Sequence, residues 1–339
     1  MEIPEFIAVG ENIHCTRIYK VGGKFVKEQE GGGFGIHYTS GGEPRLLPVP
    51  ERFTERADWE AGKVKHCAVA IWQGNNGDEA GRAAGIDYLQ SLARRQEAAT
   101  AAYLDINVDE FSTDVEERAN LMRWTVDLVQ QAVSIPVSVD SSNVEILRAG
   151  LDAADRGRGK PMVNSVSLER ADMIEAAASA GAVVIASPAS EAGLPESTEE
   201  RMASFAKLMP MLKDAGLEGG AVHADPLVLP ISVDGANGKR FLDTVRAVRE
   251  TYGPEIHIVA GLSNVSFGMP SRKLINQVFS RLAVEAGADG GIVDPMQING
   301  EILANLDTGS QGFALAKALL MGEDEFGMNF ITASRAGEL

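Results

Sequence analysis

The sequence predicts an α/β chain folded as a (β/α)8 TIM barrel with an insertion after the first strand, and three observations carry that expectation. Eight short apolar runs, most of them rich in β-branched residues, recur along the 339 residues. Their apolarity is continuous, not alternating, which marks strands covered on both faces, as in a parallel sheet. From the second run onward the steps are roughly 20–40 residues, the size of a βαβ unit. Eight such units close a barrel. An open doubly wound sheet is the alternative, and the lack of a GxGxxG turn after the first run speaks against its dinucleotide-binding form.

The runs are Ile3–Val9, Tyr103–Val108, Ile135–Val139, Pro161–Val166, Ala182–Ala186, Ala221–Ala224, His257–Ala260 and Gly291–Val293. Helix signals lie between them. Ser112-Thr113-Asp114 precedes VEERANLMRWTVDLVQQAV, Ser142-Asn143 precedes VEILRAGLDAA, Ser197-Thr198 precedes EERMASFAKLMPMLKDAG, and Pro270-Ser271 precedes RKLINQVFSRLAVEAG. Each opens on a capping residue type and several close on glycine. One further helix is expected over Gly81–Ala102 and a last one over Glu301–Met321. The expectation is one barrel domain spanning 1–339.

One step breaks the rhythm. About 95 residues separate the first run from the second, far beyond an ordinary connection. Residues 16–80 therefore read as an insertion, rich in Gly and Pro, with short β-like pieces (RIYKV, KFVKE, GIHYTS, CAVAIW). It springs from the C-terminal end of the first strand, so it is expected over the barrel face that carries sites. Two readings stay open: a lid or partner-docking element, or decoration that stabilises an oligomer.

Composition narrows the function. The formal charge is −17 and the pI about 4.8. An acidic surface repels phosphate backbones and anionic lipid, so neither nucleic acid nor membrane is an expected partner. No apolar stretch approaches the roughly 18–20 residues that cross a bilayer. The start, MEIPEFIAVGEN, has no basic n-region of a secretory signal. Cys15 and Cys67 form neither a CxxC pair nor a metal-ligand spacing. A reduced, cytoplasmic protein is the expectation.

Barrels carry chemistry at the C-terminal ends of their strands. Those ends read Glu11-Asn12, Asp105-Ile106-Asn107, Asp140-Ser141-Ser142-Asn143, Asn164-Ser165, Ser187, Asp225-Pro226, Ser263-Asn264 and Asp294-Pro295. A single strand-end Asp is more often a cap than a catalyst, but a ring of such groups must find partners if buried. The ring has many acceptors and few cations. Of the five histidines only His14 and His223 lie near strand ends, so no metal is expected. There is no GxSxG elbow and no strand lysine for a Schiff base. A flat neutral heterocycle with adjacent N–H donors, such as a pterin, suits this set. Its 2-amino group and ring N–H can grip one carboxylate in a two-pronged bond.

The stretches GENI, YLDINV, VSVDSSN, MVNSVS, HADPLVLP and above all GLSNVSFGMPSRKLIN resemble the methyltetrahydrofolate:corrinoid methyltransferases. Those are pterin-binding TIM barrels, related to the folate module of cobalamin-dependent methionine synthase and more distantly to dihydropteroate synthase. The likeness covers most of 1–15 and 80–325. By position it implies that Asp140, Asn164 and Asp225 hydrogen-bond the pterin and that Asn264 lies beside N5, which bears the methyl group. Asp140 and Asp225 join Asn264 in the implied catalytic set. Arg272 matches an arginine near the same mouth, Asp105 and Asn107 shape the pocket floor, and Glu11 completes the substrate-binding set. The family's insertion-free form has nothing like residues 16–80.

The resemblance also implies an activity: methyl transfer between N5 of tetrahydrofolate and the cobalt of a corrinoid. A neutral amide such as Asn264 can donate to N5 with no fixed protonation state, and a hydrogen bond that tightens only in the transition state accelerates the step. No DxHxxG motif for cobalamin occurs in these residues, so the corrinoid (cobalamin) is expected on a separate protein. A homodimer is the expected assembly. Two rivals stay open. Ser271-Arg272-Lys273 keeps a dihydropteroate synthase-like enzyme in play, and a non-catalytic pterin-binding subunit of a methyltransfer complex would show the same ring of residues.

Overall fold

A computed structural model describes residues 6–190 and 193–339. Its eight parallel strands are β1 (Ile7–His14), β2 (Tyr103–Asn107), β3 (Val137–Asp140), β4 (Met162–Val166), β5 (Val183–Ala186), β6 (Val222–Ala224), β7 (His257–Ala260) and β8 (Gly290–Val293). They form a closed barrel in the order β1-β8-β7-β6-β5-β4-β3-β2. The fold is therefore the (β/α)8 barrel and not the open sheet. The continuous apolarity of the runs has the expected cause: all four residues of β5 and all three of β6 are buried.

The chain divides into two compact units. One holds the described residues through Gly10, Ala99–Ala102 and everything from Met162 onward. There β1 pairs β8 with Ile7 opposite Gly290 and Val9 opposite Ile292. Val259 of β7 pairs Gly290, His223 of β6 pairs His257, Val184 of β5 pairs Val222, and Val183 pairs Met162 of β4. The other unit holds Glu11–Ala98 and Tyr103–Pro161. In it Leu104 to Asn107 of β2 run opposite Val137 to Asp140 of β3.

Helix starts follow the capping chemistry at three of the four expected sites. Asp114 accepts from the Glu117 N–H ahead of Val115–Gln130. Asn143 accepts from Glu145 and Ile146 ahead of Val144–Ala153. Ser197 and Glu200 form a reciprocal capping box ahead of Thr198–Asp214. Ser271 does not cap Arg272–Ala286. It stands at φ 49° and its hydroxyl meets Ser334 instead, at 2.8 Å.

Other boundaries depart from expectation. The first strand reaches His14, well past Val9, so Glu11 and Asn12 lie within it; residues 3–5 of the expected strand lie outside the described residues. The expected helix 81–102 runs Glu79–Ala98 and stops before Thr100, which has φ 63°. The expected last helix is two, Gly300–Ala304 and Gln311–Leu320, with Ser310 capping the second. A further helix, Met328–Ala336, follows.

The insertion contains a two-stranded sheet (Ile18–Lys20 with Lys63–Lys65) and a three-stranded one (Val26–Glu28, Phe34–Ser40, Glu43–Val49). CAVAIW, read as β-like, lies instead in helix His66–Asn76, most of whose residues are buried. The three-stranded sheet is anchored on helix Glu79–Ala98. Tyr38 and Ser40 donate to the Asp87 carboxylate at 2.9 and 2.8 Å, and Tyr38 meets Tyr88 edge to face. Helices His66–Asn76 and Glu79–Ala98 touch at glycines. A Cβ on Gly85 would stand 2.5 Å from the Ala70 carbonyl and 2.6 Å from the Gly74 nitrogen.

Backbone cannot yield there as a side chain can, so Gly85→Ala should destabilise the protein by about 1–3 kcal/mol. Urea unfolding followed by circular dichroism measures this. An unchanged midpoint would show that the two helices pack less tightly than the geometry states.

Candidate functional site

The strand-end residues are best taken unit by unit. In the unit that holds β2, β3 and the end of β1, three side chains converge. His14 Nε2 meets Asp140 Oδ2 at 3.1 Å. Asp105, 1% exposed, accepts from Ser138 Oγ at 2.7 Å. One donor atom each from His14, Asp105 and Asp140 lies within 4.8 Å of the others. Asp140 takes His14 and Asp105 takes Ser138, so one oxygen of each carboxylate is already engaged. The second oxygen of Asp140, Oδ1, has no hydrogen-bond partner among the described residues.

Burial pulls the His14 imidazole down, but the Asp140 hydrogen bond and the charges of Asp140, Asp105 and Glu11 outweigh it and leave His14 above its ordinary value. Glu11 pairs with Arg17 at 3.1 Å. Asn107 is 7% exposed, and its side-chain carbonyl caps the next turn by accepting from the Asp109 N–H at 3.0 Å. Asp109 ties loops together: it accepts from Ser141 Oγ at 2.7 Å and from the Ser142 N–H at 2.7 Å. Serines 141 and 142 of the VDSSN stretch thus hold the rim that carries Asp140.

The other unit holds Asn164, Asp225, Asn264 and Arg272. Asn164 is half-buried in β4 opposite Ile185. Asp225 follows β6 and accepts from the Leu227 N–H at 2.8 Å. Part of the residue's surface is open, yet its carboxyl sits in desolvated surroundings. Burial lifts that carboxyl to about 6, against the pull of the Leu227 and Gly261 N–H groups and of Arg201.

Asn264 lies in the turn Leu262–Ser266 after β7. Its amide folds back over Gly261, where an added Cβ would stand 2.9 Å from Asn264 Nδ2. A Cβ there would push the Asn264 amide aside. Among the described residues nothing hydrogen-bonds the Asn264 side-chain amide. Arg272, by contrast, is engaged. Its Nε donates to Ser266 Oγ at 2.9 Å, its Nη2 to the Ser263 carbonyl at 3.0 Å, and its guanidinium lies 4.6 Å from the Phe267 ring centre. Arg272 braces the turn that presents Asn264. Asp294, after β8, is a turn cap that accepts from the Met296 N–H and from Gln297 Nε2.

Sequence reasoning left out two residues. His14 is noted near a strand end but weighed there only as a metal ligand; the β-branched Ile13 beyond Glu11-Asn12 is the signal that the strand continues and carries His14 to the rim. Arg201 is fully buried. Its Nη1 reaches Thr244 Oγ1 at 3.4 Å, while Nε and Nη2 have no partner among the described residues. Its charge acts on Asp225. The signal was helical phase: Arg201, Phe205, Leu208 and Leu212 form one stripe, and all four are buried.

Residues 78–294 match the family model described as pterin binding enzyme. The chain belongs to the pterin-binding enzyme family. It is 30% identical over 258 residues to methylcorrinoid:tetrahydrofolate methyltransferase of Eubacterium limosum, a match covering 74% of this chain and 89% of that protein. It is also 30% identical over 179 residues to methionine synthase of Mycobacterium leprae, covering 49% of this chain and 15% of that larger protein. Among solved structures, dihydropteroate synthase from Xanthomonas albilineans in complex with 7,8-dihydropteroate aligns with a TM-score of 0.50 at 17% identity, over 73% of this chain and 89% of that one. That likeness shows the barrel fold alone.

The raised carboxyl of Asp225 has a consequence for stability. Its folded value, about 6, lies above the ordinary 3.8, so between the two the folded state binds more protons than the unfolded chain. Stability is then lost as pH rises through that window, and the cost persists above it. Asp225→Asn should raise unfolding stability at pH 7.5 by about 1–3 kcal/mol and bring no gain at pH 3.5. Equal effects at both pH values, measured in urea, would contradict a desolvated carboxylate.

Proposed function

We propose that this protein moves a methyl group between N5 of tetrahydrofolate and the cobalt of a corrinoid carried on a separate protein. The single observation that carries the reading is the Asn264 amide, uncommitted among the described residues and held over Gly261 by a turn that Arg272 braces. Family membership and the relative from Eubacterium limosum support it. In the proposal Asp140, Asn164 and Asp225 accept from and donate to the pterin edge. Asp105, Asn107 and Glu11 shape its surroundings, and Asn264 stands beside N5.

Toward tetrahydrofolate, the N5 lone pair attacks the methyl carbon. The carbon–cobalt bond breaks with both electrons left on cobalt, giving Co(I), and N5 sheds its proton. In reverse, N5 takes up a proton from solvent, Co(I) attacks the methyl carbon, the carbon–nitrogen bond breaks and N5 leaves as a neutral amine. A hydrogen bond from Asn264 that strengthens as N5 becomes electron-rich lowers that barrier. No protein nucleophile enters either direction.

Several parts of the proposal are finer than the family itself. The corrinoid is a cobalamin delivered by a partner protein, the enzyme works as a homodimer in the cytoplasm, and insertion 16–80 of a single barrel domain steers the partner. The insertion's growth from the end of β1 supports that last point. A dihydropteroate synthase-like activity fits less well, because Arg272 is taken up by Ser263 and Ser266 and so is not a ready phosphate ligand. A non-catalytic pterin-binding role predicts the same binding without turnover.

Asn264→Ala separates these readings. The transfer rate should fall about 10²–10⁴-fold while tetrahydrofolate binding, followed by calorimetry, changes by less than about tenfold. An unchanged rate would remove Asn264 from the chemistry.

A further inference from the structure

The geometry of the His14–Asp140 contact is more specific than that of a surface ion pair. His14 ends β1 and is 20% exposed; Asp140 ends β3 and is 23% exposed. The far side of the imidazole is fixed as well. The Thr16 N–H donates to His14 Nδ1 at 3.3 Å, and Thr16 Oγ1 lies 2.6 Å from the same nitrogen. A backbone N–H can only donate, so Nδ1 accepts and the neutral ring carries its proton on Nε2, aimed at Asp140. Asp140 is thereby turned and half-satisfied, with Oδ1 left for a ligand.

We propose that His14 is a positioning residue for the pterin-gripping carboxylate of Asp140, working in the neutral Nε2–H form that Thr16 imposes, and that its protonation turns folate binding down. The inference rests on the folate reading above. The charged groups around the ring are Asp140 from β3, Asp105 from β2 and Glu11 from β1, with Arg17 paired to Glu11 as the opposing cation. Three carboxylates favour the imidazolium while water reaches it. A neutral bicyclic ring that covers the cluster strips that water and brings no counter-charge, so it favours the neutral imidazole. By linkage, proton and folate compete. The same sign holds for chemistry toward tetrahydrofolate, where positive charge grows on N5 and a neighbouring cation opposes it. The group sits above its ordinary 6.5, so the competition falls above that value.

The test compares tetrahydrofolate dissociation constants from pH 5.5 to 9 for the full-length protein, His14→Gln and His14→Ala. Wild type should bind about three- to tenfold more weakly as pH falls through the His14 titration. His14→Gln keeps a neutral donor to Asp140, so it should bind as wild type does at high pH and lose the His14 step, keeping only the change that Asp225 contributes near pH 6. His14→Ala should bind more weakly at every pH. In the ligand-free protein, Asp140→Asn should lower the His14 pKa measured by imidazole NMR. Overlapping profiles for wild type and His14→Gln, or a His14 pKa unmoved by Asp140→Asn, would overturn the inference while leaving folate binding intact. A wild type that binds no folate at any pH would overturn the folate reading, and this inference with it.

Discussion

A desolvated carboxylate must be held by donors, since a buried acceptor left alone costs roughly 1–3 kcal/mol or more. That constraint organises the strand ends of this barrel. Asp105 is satisfied by Ser138, Asp109 by Ser141 and Ser142, and Asp294 by its own turn. Asp225 takes backbone N–H groups but stays desolvated enough to resist ionising. Asp140 is met on one oxygen only. Once the protein's own donors are assigned, the acceptor of Asp140 and the amide of Asn264 stand out as groups with capacity left over. Open capacity at strand ends, and not polarity as such, separates residues that can meet a ligand from residues that hold loops.

The same constraint explains the scarcity of useful cations. Arg272 is drawn into bracing the turn that carries Asn264. Arg17 is drawn to Glu11. Arg201 is buried away from solvent and acts on Asp225 through its field. A set of acceptors and amides with its guanidinium groups otherwise engaged suits an uncharged ring better than a phosphorylated one. The family assignment and this pattern of engagement are independent, and they agree.

Much of this was legible in the sequence. Seven of the eight strands stand within two residues of the apolar runs at both ends, because strands covered on both faces leave an unbroken apolar signature. The capping types marked three helix starts, since Asp114, Asn143 and Ser197 act through local hydrogen bonds. What failed did so for tertiary reasons. Ser271 was diverted to Ser334. CAVAIW became a helix because burial on nearly all sides removes the periodicity that distinguishes helix from strand. At the site, the residue types and their strand-end positions were readable. The division of labour between Asp140, open on one side, and Asn107, consumed as a cap, was not, because it depends on which donor each acceptor meets in space.

The central claim is that these strand-end groups grip a folate so that its N5 can exchange a methyl with cobalt. The most direct measurement mixes the protein with a methylated corrinoid protein and tetrahydrofolate and follows cobalt absorbance in stopped flow. The account predicts loss of the methyl-cobalt spectrum, appearance of Co(I), and 5-methyltetrahydrofolate in equal amount. Tetrahydrofolate that binds while the methyl-cobalt spectrum persists with every corrinoid partner supplied, and dihydropteroate forming instead from p-aminobenzoate and the pterin pyrophosphate, would contradict it.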